Sequence, residues 1–448
     1  MFSIGDMTVL VTVLLVLVFL GVHIAVALGV SSALGIYMMQ GNVEVVWTFI
    51  AQTAYEALRD YVFAVIPLFM LMGEFLAKCG AARDLFALIN QFLRVIPGRL
   101  ALATVLANAV FAFVTGVSIA AAAAFSKIAY PEMKRHGYER RFAVGCIAGS
   151  ACLGMLIPPS VLMIVWGVLT EQSIGKLFLA GVLPGFLLAL LFAVYVFSVA
   201  IIQPTRVGAG RTDASGGGHV TSAAAPAGAE LWRMLGSTLL VVGLVAGVLC
   251  GIWLGFFTPT EGAGVGAAMA LVLGLGKGLR GREIFDTILS VGRTSAPLLL
   301  LLVSAQLYSR VLSMTGLTGA AKALLLGTGL SAYEILAVMV LLWFLLGCII
   351  DSISIILITV PVFAPIAADL GFDPLAFAIL GILAVETGLL TPPFGILAFT
   401  VKAALPDEPL SVGDVFRGSV AYWLALLAVI VIIAVFPGIA TFLPALGR

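Results

Sequence analysis

Asp351 stands inside a run of apolar residues with Ser352 and Ser354 beside it, the densest oxygen chemistry in the apolar part of the chain. A carboxylate flanked by hydroxyls suits a hard cation such as Na+. In hydrocarbon such a charge is expensive unless a cation or hydrogen-bond donors compensate it. Asp351 can equally cap a helix by accepting backbone N–H groups, and one residue can do both. Glu386 is the second charge of this region; it can tune such a site, or pair with Arg310 or Lys402 as structural glue. The pairs Pro158-Pro159 and Pro392-Pro393 mark two further places of interest. Consecutive prolines remove amide donors and clash with the preceding turn, so each pair breaks a helix.

These features are linked by a duplication. A gapless shift of 234 residues lays Pro131 on Pro365, Gly137 on Gly371, Gly154 on Gly388, Pro158-Pro159 on Pro392-Pro393 and Ser118 on Ser352. The charges do not repeat with the residues. The first copy carries Lys127, Lys134, Arg135, Arg140 and Arg141 against Glu132 and Glu139, whereas the matching stretch of the second has only Asp369 and Asp373. Lys and Arg in short loops stay cytoplasmic, so one copy shows this loop to the cytoplasm and the other to the opposite side. The expectation is an inverted-topology repeat around broken hydrophobic segments, the pattern of a carrier.

The elements that must position these groups are membrane helices. The chain is 62% hydrophobic, only 10% charged, and its mean hydropathy of +1.20 is far from that of a soluble protein. A net charge of +1 argues against nucleic acid as a partner. Cys79, Cys146, Cys152, Cys250 and Cys348 are scattered through apolar segments without metal spacing and read as buried thiols, so no transition metal and no cofactor is expected. With three histidines, no nucleotide-binding loop and no Ser-His-Asp set, the chain reads as neither an ATPase nor any other enzyme.

The expected fold is an all-α polytopic membrane protein, since nothing alternates with the period of two that a barrel requires. Residues 1–202 form the first repeat, with helices over 1–99, a re-entrant hairpin over 100–130 and a broken helix over 141–169. The hairpin begins and ends beside positive charge, so it enters and returns, turning at Thr115-Gly116-Val117-Ser118. The polar stretch 203–229, with Arg206, Arg211 and a glycine run, is a flexible cytoplasmic linker. Residues 230–448 form the second repeat, with its hairpin over 335–365 breaking at 347–354 and its broken helix over 376–404. The apolar run 7–39 is one long span or two short ones turning at Gly21, with His23 in a packing, capping or functional role. Glu261, after Thr258-Pro259-Thr260, reads as a helix N-terminal charge.

Unwound backbone in hydrocarbon is tolerated where it lines a cavity or is buried in protein. Exposed carbonyls there hold Na+, and helix N-termini suit an anionic substrate. The duplication then implies two cation sites. One lies around Gly116, Val117, Ser118, Ser150 and Pro158, the other around Asp351, Ser352, Ser354, Gly388 and Thr391. A small anionic substrate falls to Ser118, Ser160, Asp351, Ser352 and Thr391. Because Val117 is the counterpart of Asp351, the two sites differ chemically.

Several stretches resemble the large membrane subunit of the TRAP (tripartite ATP-independent periplasmic) transporters. In the first half these are 116–123, Pro131-Glu132-Met133, Gly137-Tyr138, 156–160, Ser173-Ile174-Gly175 and Pro184-Gly185. In the second they are 257–261, Asp351 after Gly347, 371–374 and 388–395. The resemblance covers nearly the whole chain. It implies an ion-transporter-superfamily fold with a scaffold and an elevator-type transport domain bearing two hairpins. It further implies Na+-driven import of an organic acid, such as a C4-dicarboxylate or sialic acid, across the bacterial inner membrane. A small four-helix membrane subunit and a periplasmic binding protein are the partners so implied, both on separate chains. The chain departs from the family where Val117 and His23 stand: the first tip usually reads Ser-Gly-Ser-Ser, and proline is frequent at the position of His23. Two other readings stay open, a stand-alone Na+-coupled dicarboxylate or citrate carrier of the same superfamily and a non-transporting membrane scaffold.

Overall fold

The computed structural model describes residues 4–208, 228–327 and 329–446, and among them the regular structure is helical. Among the described residues, seven of the helical segments are long and apolar enough to cross a membrane. The N-terminal run is two helices, α1 (Ile4–Phe19) and α2 (Ile24–Gln40), turning at Gly21 with φ +78°. His23 caps α2, its Nδ1 accepting the Ala25 N–H at 3.3 Å. Next come α3 (Val43–Arg59), a 3-10 turn, α4 (Val65–Lys78) and α5 (Ala81–Phe92). The last starts directly after Gly80, which turns the chain in the left-handed region.

The first hairpin is α6 (Arg99–Thr115) and α7 (Ser118–Arg135). The broken helix follows as α8 (Arg140–Ala151), the one-turn α9 (Leu153–Leu156) and α10 (Val161–Thr170), and then the long α11 (Ile174–Ile202). Of the expected linker, Pro204–Arg206 is a 3-10 turn fastened by an Arg206–Glu139 ion pair of 3.0 Å; residues 209–227 lie outside the described residues.

The second half runs α12 (Gly228–Trp253), α13 (Pro259–Gly276), α14 (Gly281–Thr315) and α15 (Leu317–Gly327). Its hairpin is α16 (Ala332–Gly347) and α17 (Ser352–Asp369), its broken helix α18 (Pro374–Leu389) and α19 (Ile396–Ala404), followed by α20 (Val412–Val435) and α21 (Gly438–Leu446). The bounds of α17 repeat those of α7 at the same offset of 234. The clearest difference is that α3, the 3-10 turn and α4 correspond to the single 35-residue α14. Glu261 closes a capping box with Thr258 at the start of α13, the helix-start role its sequence context suggested.

Small residues bring the helices close, as expected where lipid supplies no hydrophobic drive between spans. At the crossing of α8 and α20 the backbones of Gly145 and Gly418 touch, and a Cβ on Gly145 would lie 2.1 Å from the Gly418 carbonyl carbon. The halves exchange arms: α10 packs on α17 and α19 on α7. Trp166 and Trp343, both fully buried, meet at that junction with ring centroids 5.8 Å apart, in space left by Gly381.

Candidate substrate and cation site

At the first hairpin tip, Gly116 turns the chain with φ +60°, a left-handed conformation that glycine adopts without a Cβ penalty. The turn is pressed against the first broken helix. A Cβ on Gly116 would lie 2.4 Å from the Pro159 carbonyl oxygen, and the Gly116 carbonyl accepts the Val161 N–H at 3.2 Å. Gly154 in turn leaves room for the backbone at Val117 and Ser118. The structure therefore brings Gly116, Val117 and Ser118 together with the 158–160 break. Val117 is extended and supplies no side-chain cap to α7.

Two hydroxyls expected here as ligands are already engaged. Ser160 donates to the Met155 carbonyl at 2.6 Å and caps α10 by accepting from Met163 N–H. Ser150 donates to the Cys146 carbonyl at 2.6 Å and accepts from Asn108 Nδ2 at 2.7 Å. Asn108 was missed by sequence reasoning. It is fully buried and its Oδ1 has no partner among the described residues, leaving an amide oxygen on α6 beside the predicted cluster. Its signal was a lone amide side chain in the apolar run 100–114.

The second tip is looser. Between α16 and α17 the chain takes Cys348 to Asp351, and Asp351 caps α17 by accepting the Ser354 N–H at 3.1 Å and the Ser354 hydroxyl. The Phe394 and Gly395 N–H groups both donate to the Cys348 carbonyl, and Cys348 Sγ lies 3.0 Å from Thr391 Oγ1. Thr391 also donates to the Gly388 carbonyl at 2.9 Å, while Gly388 and Gly347 pack backbone to backbone. Gly388 and Thr391 thus hold the tip through Cys348. Asp351 and Ser354 instead face a cavity of about 520 Å³ whose far wall is the α1–α2 turn with Gly21 and His23, together with Leu301 of α14.

Glu386 pairs with neither Arg310 nor Lys402. Arg310 reaches Glu56 at 2.6 Å, and Lys402 donates to the Glu408 carbonyl at 3.1 Å. Both cations lie on other faces, whereas α18 aims Glu386 inward, 1% exposed, where it accepts from the Ser352 hydroxyl at 3.2 Å. The Ser118 hydroxyl stands beside the same carboxylate. The first residues of α7 and α17, placed in separate clusters by the sequence, therefore converge on one side chain.

Two tips on breaks, helix N-termini that converge and a cavity at one tip give a candidate site of the size and polarity a small solute needs. The description "Tripartite ATP-independent periplasmic transporter, DctM component" matches residues 11–439. The chain belongs to this family. It is 34% identical to the C4-dicarboxylate TRAP transporter large permease protein DctM of Pseudomonas aeruginosa, over 93% of each chain. It is 30% identical to the ectoine TRAP transporter large permease protein TeaC of Halomonas elongata, over 97% of this chain and 98% of that one. The fold is similar to the solved YdaH transporter of Alcanivorax borkumensis, with a TM-score of 0.63 at 16% identity over 89% of both chains. As a TRAP large permease the chain is a membrane transporter subunit, and its relatives are permeases rather than enzymes.

Proposed function

We propose that this TRAP permease is the Na+-coupled transmembrane subunit that imports a small organic acid across the bacterial inner membrane, handed over by a periplasmic binding protein and assembled with a small membrane subunit. The observation that carries the reading is the cavity in which Asp351 and Ser354 of the second tip face His23 and Leu301. A moving tip on one side and helices outside the hairpins on the other is the arrangement an elevator needs. Na+ sits at the two tips, on the carbonyls of Gly116 and Val117 with Ser118 at the first, and on Asp351 with its serines at the second. The relatives are named for C4-dicarboxylate, ectoine, sialic acid and isethionate. The first three solutes carry a carboxylate and isethionate a sulfonate, so an organic acid anion is the substrate group the positive ends of α7 and α17 would meet.

The inverted orientation of the halves is supported by charge pairing. Lys134 reaches Glu408 at 2.6 Å and Arg141 reaches Asp414 at 2.7 Å, so the basic loop of the first half shares a face with the loop after α19. The 16 residues of α18 and 9 of α19 rise about 1.5 Å each, enough together for a roughly 30 Å hydrocarbon core. The loop before α18, at 370–373, then lies on the opposite face from Lys134. Cysteines placed near Lys134 and near Asp369 are expected to label from opposite sides of the membrane; labelling from one side sinks the inversion.

The decisive experiment is reconstitution into liposomes with and without the small subunit and binding protein, under an inward Na+ gradient, with a C4-dicarboxylate and ectoine as probes. Uptake that needs all three components and the gradient is the expected result. Uptake by this chain alone would overturn the tripartite assignment and favour a stand-alone carrier.

A further inference from the structure

We propose that His23 selects the solute from outside the hairpins, its Nε2–H donating to an oxygen at the end of the organic acid turned away from the second tip. The inference rests on the transport function proposed above and adds to it a specificity-determining residue on the opposite wall of the cavity. His23 stands in the turn between α1 and α2, and α2 packs along α14, so it belongs to neither hairpin. The cap it forms sets its ring. Nδ1 accepts the Ala25 N–H at 3.3 Å, so Nδ1 is bare and the ring proton is on Nε2. The ring therefore caps α2 with one nitrogen and keeps a donor on the other, at the edge of the cavity that His23 lines.

The polar inventory of the cavity singles this donor out. Among the described residues its lining holds three polar side chains, His23, Asp351 and Ser354. Asp351 as a carboxylate only accepts, and the Ser354 hydroxyl already donates to it. The other side chains are apolar, Phe19, Val22, Leu301, Ile350 and Ile396 among them, and suit the carbon skeleton of a solute. A cavity of about 520 Å³ lies within the range of small-molecule sites. An acid whose charged group meets the start of α17 thus extends toward a wall with a single uncommitted side-chain donor. A second carboxylate, a hydroxyl or a carbonyl at that end gains a hydrogen bond, whereas an alkyl end leaves Nε2–H unpaired. A site that hydrogen-bonds one group of its solute rejects the analogue lacking that group.

Nitrogen NMR of the histidine-labelled full-length chain in nanodiscs, in NaCl, tests the contact with succinate, sialic acid and isethionate as probes. Butyrate, which lacks the distal oxygen, is the control, and the His23 signals are those absent from His23→Gln. The expected result is a bare Nδ1 and a protonated Nε2 whose signal moves with at least one probe and little with butyrate. No movement with any of the three probes would overturn the proposal, as would equal movement with butyrate or a proton on Nδ1. Reconstituted uptake of the responding probe, supplied on its binding protein, separates contact from cap. Serine caps a helix well but is too short to reach the solute, so His23→Ser should lower uptake about tenfold, and His23→Gln, a weaker cap with an amide donor, should restore most of it. Unchanged uptake by His23→Ser, or more uptake by it than by His23→Gln, would make His23 a cap alone and overturn the assignment. A wild type that moves the NMR signal yet imports none of the probes would sink the transport reading and leave the His23 contact standing.

Discussion

The two hairpin tips occupy equivalent places in the two halves and solve the same backbone problem with different residues. The first turns on Gly116 and Val117, leaves α7 without a side-chain cap and is sealed against Pro159. The second takes four residues, caps α17 with Asp351 and opens onto a cavity shared with the α1–α2 turn. The first tip is held by close backbone contact, the second by side-chain hydrogen bonds. Close contact leaves little room for a ligand other than a bare ion on carbonyl oxygens. A capped, half-open tip can exchange its ligands, so under the proposed function the second is the tip at which the solute and a coupling ion enter and leave.

The sharpest way to break this comparison is Gly116→Ala. The new Cβ would meet the Pro159 carbonyl at 2.4 Å on a backbone with φ +60°, so the variant should lose about 2 kcal/mol or more. Thermal unfolding of the detergent-solubilised protein reads the loss; a melting temperature equal to wild type would show that the first tip is not sealed. Next in size is Asp351→Asn. Asparagine caps helices as well as aspartate does, so α17 should stay intact while the charge goes. The Na+ concentration for half-maximal uptake should then rise about tenfold, the equivalent of about 1.4 kcal/mol. Unchanged Na+ dependence with intact folding would refute a cation role for Asp351 and leave it a cap alone.

Both tips were legible in the sequence because glycine, paired prolines and an isolated charge stand out against an apolar background. The turn read at 115–118 and the breaks read at Pro158-Pro159 and Pro392-Pro393 fall where the helices stop, at 116–117, 157–160 and 390–395. The ligand geometry was not legible. Ser150 and Ser160 looked available, yet each hydroxyl is taken by local carbonyls and by a donor, a competition that residue type does not reveal. Glu386 could be read as tuning the site or as half of an ion pair with Arg310 or Lys402, and residue type does not decide between the two. Where α18 points is fixed by its packing against α16, α17 and α20, which is non-local. The two-helix form of the N-terminal run turned on Gly21 and His23, and the sequence alone allowed either form.

Making the first tip resemble the second is a gentler perturbation. Val117 is the N-cap of α7 and offers it no oxygen, although its backbone is already extended as a cap requires. Val117→Ser should therefore stabilise the protein by about 0.5–1 kcal/mol through a new bond to the first-turn N–H groups. A higher melting temperature with unaltered Na+ dependence would mean that the hydroxyl caps α7. A melting temperature at or below that of wild type would show that close backbone contact leaves the new hydroxyl no way to act as a cap.

The smallest expected effect lies away from the tips, where Glu408 ties the second half to Lys134 of the first. Its hydrogen bond with Lys134, aided by the Tyr130 hydroxyl, holds its carboxyl below the ordinary glutamate value. A lowered folded-state value means that the contribution is present above the unfolded glutamate value and is lost as pH falls through the lowered one. Because the pair sits at an accessible face, Glu408→Gln should cost less than about 1 kcal/mol at neutral pH, and less still in high salt. Wild type and variant should then converge in melting temperature as the pH falls through the acid range. A constant difference down to the lowest usable pH would mean that Glu408 joins the halves through its Tyr130 contact and backbone geometry rather than its charge. The two halves would then be fastened at this face by packing, as the first tip is, and not by the polar contacts that hold the second.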